Sequence, residues 1–312
     1  MVDPGAFVVQ TLNGLQYGFV LFLIASGLTV ILGILDVLNL AHGELYAFGA
    51  YASVGVFGYA VGLLPVPSDP VTGAIFAVGI VAAALVAALT LVPVGVIFEM
   101  VFLRPIYDRD QVYQLVLTFA LLLVLLDLKA FIWGETNIRT DGVYTGVNEI
   151  AVASIVGLNF PTYNLLLIAV GIVMVALLFW FFERSKSGRV IRATAIDREM
   201  ATAIGVSTDR TFTLVFTLGA FLAGFAGAMH VPSTAATLDM GTTPLVLSFV
   251  VIVIGGLGSL KGAFVGAILV GVIRTWMTWQ YPAAEIAAPF AIMALILLVK
   301  PEGLFGSWGE VE

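Results

Sequence analysis

Long apolar runs separated by short polar stretches repeat along the whole chain. Nine such runs lie at residues 7–35, 40–64, 71–103, 112–132, 162–182, 211–231, 244–257, 262–281 and 285–299. Most have about the 20 residues that a helix needs to cross a hydrocarbon core. Within hydrocarbon every backbone N–H and C=O needs an internal partner, so each run is predicted to be helical. The sequence lacks the polar/apolar alternation of a transmembrane barrel.

The composition supports this interpretation, because 61% of the residues are hydrophobic and 11% are charged, against about 25% charged in soluble domains. We therefore predict an all-α polytopic membrane protein, a bundle of about eight or nine transmembrane helices in one transmembrane domain over 1–312. The first run is too long for a signal-peptide core and is predicted to be the first membrane helix. The chain has no cysteine, which excludes disulfides and thiol chemistry.

The basic residues predict the orientation of the bundle. The polar loop at 183–210 holds six of the 13 basic residues. With this loop in the cytoplasm, ten basic residues fall inside and two, Lys129 and Arg139, fall outside. By the positive-inside rule the N-terminus is expected outside and the C-terminus in the cytoplasm of a multi-pass cell-membrane protein. The loop at 133–161 is then an excursion on the outer surface.

The 183–210 loop contains the pattern of a short amphipathic helix. Thr194 and Asp197 have capping-box spacing, Gly205 stands where a left-handed cap is expected, and Ser207 can cap the next helix. One apolar face is formed by Ile196, Met200, Ala203 and Ile204. Three interpretations stay open: an interfacial helix on the lipid headgroups, an ordinary loop with a turn of helix, or a coupling helix that docks on a soluble ATPase subunit.

Nothing in the chain itself binds a nucleotide by a known pattern. There is no G-x-x-x-x-G-K-[ST] phosphate loop, and no polar stretch is long enough for a nucleotide-binding domain. If ATP drives the protein, a partner chain hydrolyses it. No catalytic residues, no cofactor and no nucleic-acid partner are expected.

Polar residues cluster between the first and second runs, where a charged group costs at least about 2.5 kcal/mol at membrane depth. The cluster consists of Asp36, Asn39, His42 and Glu44. Either these residues form a tight cytoplasmic turn, or a broken helix places them along a solute path. With only two histidines, His42 and His230, the chain cannot form a zincin site, and no metal is expected.

Glycines mark a second candidate region between the seventh and eighth runs. The stretch from Gly255 to Gly262 permits a tight reversal or a close backbone approach. Three G-x-x-x-G spacings predict helix packing, at Gly14–Gly18, Gly58–Gly62 and Gly262–Gly266. Arg274 is a lone charge in the eighth run and either snorkels to the surface or faces the bundle interior.

An ordered set of motifs resembles a known family. They are Leu12-Asn13-Gly14, Ala25-x-Gly27-Leu-Thr29, Asn39-x-Ala41-His42-Gly43-Glu44, Gly188-Arg189 through Ala201, Gly205-Val206, Gly255-Gly256-Leu-Gly258-Ser259-x-x-Gly262-Ala263 and the tail Lys300–Gly306. From residue 8 to 306 the chain resembles the inner-membrane permeases of branched-chain amino acid ABC importers (LivH type). The resemblance implies two cytoplasmic ABC ATPase subunits, a second related permease and an extracytoplasmic solute-binding protein as partners, within membrane lipid.

These observations lead to two sets of candidate site residues. The candidate substrate pathway consists of Asp36, Asn39, His42, Gly43, Glu44, Gly255, Gly256, Gly258, Ser259 and Gly262. The resemblance implies ATPase coupling by residues between Ala195 and Gly205, and we select Ala195, Ile196, Asp197, Met200, Ala201 and Gly205. The alternatives are an ABC permease for urea or short amides and a secondary transporter driven by an ion gradient.

Overall fold

The computed structural model describes residues 4–149, 153–155 and 158–306. Within them the chain forms thirteen α-helices, one short hairpin and short helical segments of other types. The α-helices are α1 (Pro4–Leu35), α2 (His42–Leu63), α3 (Pro70–Leu89), α4 (Leu91–Ile97), α5 (Gln111–Trp133), α6 (Asp141–Glu149), α7 (Thr162–Arg184), α8 (Lys186–Ile196), α9 (Arg198–Ala203), α10 (Thr208–His230), α11 (Thr242–Gly255), α12 (Leu260–Gln280) and α13 (Ala287–Val299). A π-helix (Phe98–Leu103) and a 3₁₀ turn (Arg104–Ile106) extend α4, and 3₁₀ turns also occupy Val231–Ser233 and Pro282–Ala284.

Helices occupy all nine predicted apolar runs. Seven helical spans in the described residues are long and apolar enough to cross a membrane, the longest running through α3, α4 and the π-helix from Pro70 to Ile106. The other two, α11 and α13, have 14 and 13 residues, about 20 Å each, which is too short to cross a core of about 30 Å. The prediction of an all-α polytopic bundle is therefore confirmed, while the direction of the termini stays a prediction.

Two helices form the centre of the bundle. In the most apolar window of α1, 83% of the residues are buried, and in that of α10 the fraction is 72%. The other spans reach at most 44%. The two central helices lie against each other, and α2, α11, α12 and α7 pack around them. The outer spans are mainly exposed because their apolar faces are directed at lipid rather than at protein.

The helix α2 begins deep inside the bundle. The His42 ring Nε2 lies 3.1 Å from the carbonyl oxygen of Ile24, which is 11 residues before the end of α1 at Leu35, or about 16 Å along its axis. Residues 36–41 return along this distance without helical structure. On the way, Thr118 Oγ1 of α5 donates to the Leu38 carbonyl at 3.0 Å. The structure thus shows a broken helix here and not a tight turn.

A second break follows α10. The chain passes through the turn at Val231–Ser233, runs without helical structure over 234–241, and begins α11 at Thr242. There the backbones of Gly43 and Gly241 lie so close that a Cβ on either would overlap with the other. The first turns of α2 and α11 are therefore in contact in the middle of the bundle. Sequence analysis did not predict this second break.

The 133–161 excursion is folded rather than open. It contains α6, whose Val143 and Val147 are buried, and a hairpin of β1 (Ala153–Ile155) and β2 (Leu158–Phe160), with Ala153 opposite Phe160. Ile138 also pairs with Ala236 through two backbone hydrogen bonds. The excursion therefore joins the segment between α10 and α11. Residues 150–152 and 156–157 of this loop lie outside the described residues.

Glycine contacts set the spacing of the central helices. Gly14 and Gly18 of α1 lie against α12 near Gly271, and Gly262 and Gly266 lie against α11, which confirms two of the three predicted packing spacings. The third is wrong within this chain, because nothing lies within 4 Å of a Cβ at Gly58 or Gly62. Those two glycines lie on an exposed face of α2.

Replacement of Gly49 by Ala is expected to destabilise the protein, because a Cβ there would overlap with the backbone of Gly224 in α10. Overpacking of this kind costs about 1–3 kcal/mol. Gly55 lies on the same helix with nothing within 4 Å, so Gly55→Ala is the matched control and should be neutral or stabilising by up to about 1 kcal/mol. Thermal unfolding in detergent measures both, and equal transition temperatures would contradict the packing described.

Candidate functional site

The polar residues at the start of α2 form a mid-bundle cluster of Asn39, His42 and Glu44. Asn39 and His42 are fully buried, and Glu44 is 1% exposed. Both polar atoms of the Asn39 amide and the His42 Nδ1 lack a hydrogen-bond partner. Buried polar groups normally have partners, so this cluster has capacity for water or a polar solute. Gly43 lies within it and lets α11 approach.

Lys129 connects this cluster to two other elements. Its ammonium group forms an ion pair with Glu44 and donates to the Leu238 carbonyl at 2.8 Å, and it lies 5.9 Å from the centre of the Tyr51 ring. Sequence analysis counted Lys129 with the basic residues of the outer side, although it lies in the fourth apolar run. In the structure Lys129 belongs to α5 and is fully buried. The sequence could not indicate this buried ion pair, because the partner Glu44 is 85 positions away along the chain.

The glycine-rich turn lies at a different level of the bundle. Gly255 is against Gly262, and Gly256 (φ +96°) is against Gly306 of the C-terminal tail. Gly258 contacts Gly33, nine residues beyond Ile24 on α1 and about 13 Å from it along the axis. Ser259 caps α12 by accepting from the Gly262 N–H at 3.0 Å. The structure therefore does not bring this turn together with Asn39, His42 and Glu44.

Asp36 is also separate from the mid-bundle cluster. It lies exposed directly after α1 with φ of 55°, a left-handed conformation that Asp tolerates better than most residues. Its Oδ2 accepts from the Gln111 side chain at 3.0 Å. Asp36 therefore ends α1 and contacts the start of α5. A role of any of these residues in a substrate pathway stays a prediction.

The 183–210 loop forms two helices, α8 and α9, which are separated by a break at Asp197. Sequence analysis expected a single helix that begins near Thr194. The predicted capping box is wrong: Thr194 lies within α8 and its hydroxyl donates to the Val190 carbonyl at 2.9 Å. Asp197 is the N-cap of α9 instead, accepting from the Met200 N–H at 2.8 Å. The predicted cap at Ser207 is also wrong, because its side chain makes no capping bond to α10.

The end of α9 agrees with the sequence, but the predicted single apolar face is divided, because Ile196 ends α8 and the break at Asp197 separates it from Met200 in α9. Gly205 has φ of +91°, and the Val206 N–H donates to the Ala201 carbonyl at 3.0 Å, which confirms the left-handed cap. Three large apolar side chains remain strongly exposed: Ile196 at 87%, Ile204 at 71% and Met200 at 59%. Ala195 and Asp197 are exposed as well, whereas Ala201 is 2% exposed. Ala201 thus packs against the protein and is not part of the exposed surface.

Sequence analysis did not single out Glu99, which is a fully buried carboxylate. Arg104 donates to it from Nε at 3.2 Å and Nη2 at 3.0 Å, Thr213 donates at 2.7 Å and Tyr107 at 3.2 Å. Burial, and then the Glu99 charge, raises the pKa of Tyr107, which stays protonated as a donor. Glu99 and Arg104 are five residues apart, a spacing that only the i→i+5 register of a π-helix aligns.

The Glu99 cluster continues to the loop that carries α9. The Tyr107 and Phe212 rings pack edge to face with centroids 5.3 Å apart, and the Arg198 guanidinium lies 4.6 Å from the centre of the Phe212 ring. α9 is therefore fixed to α10 and to the π-helix through side chains. Within the described residues no group of three or more His, Asp or Glu side chains could hold a metal ion.

Comparison with known proteins places this architecture among membrane permeases. A family profile described as "Branched-chain amino acid transport system / permease component" matches residues 10–299. The high-affinity branched-chain amino acid transport system permease protein LivH of Escherichia coli (strain K12) is 29% identical over 98% of this chain and 97% of its own length. BraD of Pseudomonas aeruginosa is 27% identical with the same coverage. LivM of Escherichia coli (strain K12) is 24% identical over 97% of this chain and 71% of its own length.

Replacement of Lys129 by Met is expected to lower the free energy of unfolding by about 3–5 kcal/mol, because it leaves the Glu44 carboxylate buried without a counter-charge. The double variant with Glu44→Gln and Lys129→Met removes both charges and should recover most of this loss. Lys261→Met, at an exposed lysine, is the control. Denaturant unfolding in detergent measures all three, and equal losses for Lys129→Met and Lys261→Met would contradict the buried pair.

Proposed function

This chain belongs to the family of permease components of branched-chain amino acid transport systems, and we propose that it is the membrane-spanning subunit of an ABC importer for branched-chain or similar amino acids. It is a multi-pass protein of the cell membrane and a transport subunit rather than an enzyme. The family match from residue 10 to 299 carries this proposal. In the described residues it covers all seven membrane-spanning helices, apart from the start of α1, and both helix breaks. The whole chain is then one permease domain, with 183–210 as its coupling loop.

The exposed apolar residues in and beside α9 support docking of an ATPase. Ile196, Met200 and Ile204 leave a short apolar surface uncovered on a loop that holds six of the 13 basic residues. The face has no Trp or Phe, the residues typical of helices that lie in the lipid interface. Instead of lipid, a groove on a partner protein is proposed to cover this apolar surface, as in other complexes where a groove binds an amphipathic helix. The chain has no phosphate loop, so partner chains hydrolyse the ATP. The proposed complex contains two of these ATPase subunits.

A second permease and a solute-binding protein complete the proposed complex. LivH and LivM, two permease proteins of one organism, both resemble this chain over nearly its full length. This double likeness supports a pair of related permeases around one solute path. Delivery of the amino acid by a binding protein on the outer face follows from the same resemblance.

The orientation can be tested directly because the chain has no cysteine. With the N-terminus outside, a membrane-impermeant thiol reagent should label Val66→Cys in intact cells, and Ile196→Cys only after the membrane is opened. Both positions are strongly exposed, at 77% and 87%. Ser26→Cys, at a fully buried position, is the unreactive control. The opposite labelling pattern would reverse the orientation.

Purification from the native membrane in mild detergent tests the proposed complex. Two phosphate-loop ATPases and a second permease should co-purify with this chain. Ile196→Ser with Met200→Ser should weaken ATPase binding about tenfold or more, which corresponds to about 1.4 kcal/mol lost from a contact surface. Val66→Ser removes an equally exposed apolar side chain from the other face and should change nothing.

The contrary results of this purification are equally specific. Recovery of this chain alone, with solute uptake into vesicles that needs an ion gradient and no ATP, would establish a secondary transporter. Recovery of the full complex with uptake of urea or short amides, and none of branched-chain amino acids, would keep the ABC permease and reject its proposed solute.

A further inference from the structure

A polar cleft lies at the face of the bundle opposite to α9. Its walls come from the N-terminal part of α1 and the C-terminal part of α12, with Glu285 from the following turn, and it encloses about 480 Å³. We call it the outer cleft, after the predicted orientation. It is lined by Gln10, Asn13, Gln16, Tyr17, Arg274, Thr275, Thr278, Trp279 and Glu285. Besides Tyr17, six side chains with amide, hydroxyl or indole groups surround one cation and one carboxylate there.

The two charged groups are in contact and partly accessible. Arg274 forms an ion pair with Glu285 through Nη2, and the side chains are 21% and 29% exposed. The Arg274 guanidinium lies over the Tyr17 ring at 4.5 Å. This contact places the guanidinium beside Tyr17, which also lines the cleft. Of the two alternatives in the sequence, Arg274 faces the protein interior and does not snorkel alone.

Two buried donors in the cleft have no partner. Arg274 Nε has none, although the residue is in an ion pair, and the Gln16 amide nitrogen has none, with Gln16 8% exposed. An unpaired donor away from water is destabilising. The neighbouring Asn13, in contrast, is held by side-chain bonds to Gln10 and to Asn164 of α7. Both donors belong to residues that line the cleft and are themselves shielded from water, so an acceptor in the cleft reaches them when these side chains turn towards it.

The floor of the cleft continues towards the middle of the bundle. The Tyr17 and His230 rings have centroids 5.8 Å apart, and His230 Nδ1 is hydrogen-bonded to the Tyr46 hydroxyl at 2.5 Å. Tyr46 lies one helical turn beyond His42 on α2. Polar groups therefore follow one another from the outer cleft to the mid-bundle cluster, although glycine packing closes the centre in this conformation.

We propose that the outer cleft is a solute subsite for a zwitterionic amino acid, with the carboxylate bound by Arg274 and Gln16 and the ammonium group by Glu285. The inference rests on the proposed amino-acid transport and adds the place where the permease itself receives the solute. The guanidinium keeps unused donors after pairing with Glu285, so the solute can bridge the ion pair without breaking it. The volume lies within the range of about 300–1,000 Å³ for small-molecule sites.

A zwitterionic lipid headgroup has the same pair of charges as a free amino acid. The cleft is near the helix ends, where headgroups also lie, so the experiment must separate these two sources. Thr278 lines the cleft and is exposed, and the cysteine-free chain allows a single reporter, Thr278→Cys. We commit to the free amino acid as the occupant.

The test measures the rate at which a soluble maleimide labels Thr278→Cys in the assembled complex without the binding protein, read on this chain by mass spectrometry. Leucine at ten times its Kd should slow labelling about tenfold by mass action. Leucinamide, which lacks the carboxylate, and 4-methylpentanoate, which lacks the ammonium group, should give little protection. Val66→Cys, remote from the cleft, should label at one rate throughout.

Variants of the two charges make the test specific. Arg274→Gln and Glu285→Gln should each abolish protection by leucine, while Arg274→Lys should retain part of it, with thermal unfolding showing that each variant is folded. The complex is compared in lipid-free detergent and in nanodiscs of phosphatidylethanolamine. Slow labelling in phosphatidylethanolamine alone, with no effect of leucine in detergent, would assign the cleft to lipid and overturn the proposal.

The remaining outcomes separate the subsite from the proposed function. A complex that takes up leucine with ATP hydrolysis, yet labels at the same rate with and without leucine, overturns the subsite and leaves the transport function in place. A complex with neither uptake nor protection overturns both.

Discussion

The structure depends on hydrogen-bond partners for the first backbone N–H groups of two helices, α2 and α11. Both helices begin inside the bundle, away from water. The first backbone N–H groups of any helix have no partner in the helix itself, and in a membrane such groups need another acceptor. At the start of α2, the carbonyls of Asn39 and Ala41 accept hydrogen bonds from these N–H groups. At the start of α11, the carbonyls of Asp239 and Gly241 accept them. Lys129 then ties the two places together, because it pairs with Glu44 beside one start and binds the Leu238 carbonyl before the other.

The close approach of these two starts constrains the helices around them. Gly43 and Gly241 can touch only because neither has a side chain, and Gly27 and Gly219 bring α1 and α10 together in the same way. Close packing between small residues replaces the hydrophobic driving force that lipid does not provide. The polar groups of the mid-bundle cluster are therefore enclosed by backbone. In this conformation they hold the helix breaks in place, and a solute path through them requires these contacts to separate.

The two faces of the molecule are differentiated by chemistry. On one face α9 presents exposed apolar side chains and is fixed by Arg198 and Phe212 to the Glu99 cluster on the π-helix. On the other face the outer cleft presents a guanidinium, a carboxylate and unpaired donors. The central helices α1 and α10 connect the two faces, since α1 lines the outer cleft and also contacts α8. The proposed function uses both surfaces, one for an ATPase subunit and one for the solute.

The sequence by itself determined the class of fold, the end of α9 at Gly205, the family and all seven spans of the described residues, because hydropathy and local motifs do not depend on distant contacts. It also counted α11 and α13 as membrane runs, although both are too short to span. It also indicated the polar residues at 36–44 but left open whether they lie in a turn or a broken helix. Only the tertiary structure decided that question, since the depth of His42 depends on its contact with Ile24. It likewise decided the partners of Lys129, Glu99 and Arg274. These pairs join positions that are distant along the chain or are aligned by a π-helix, and no periodic pattern in the sequence records such contacts.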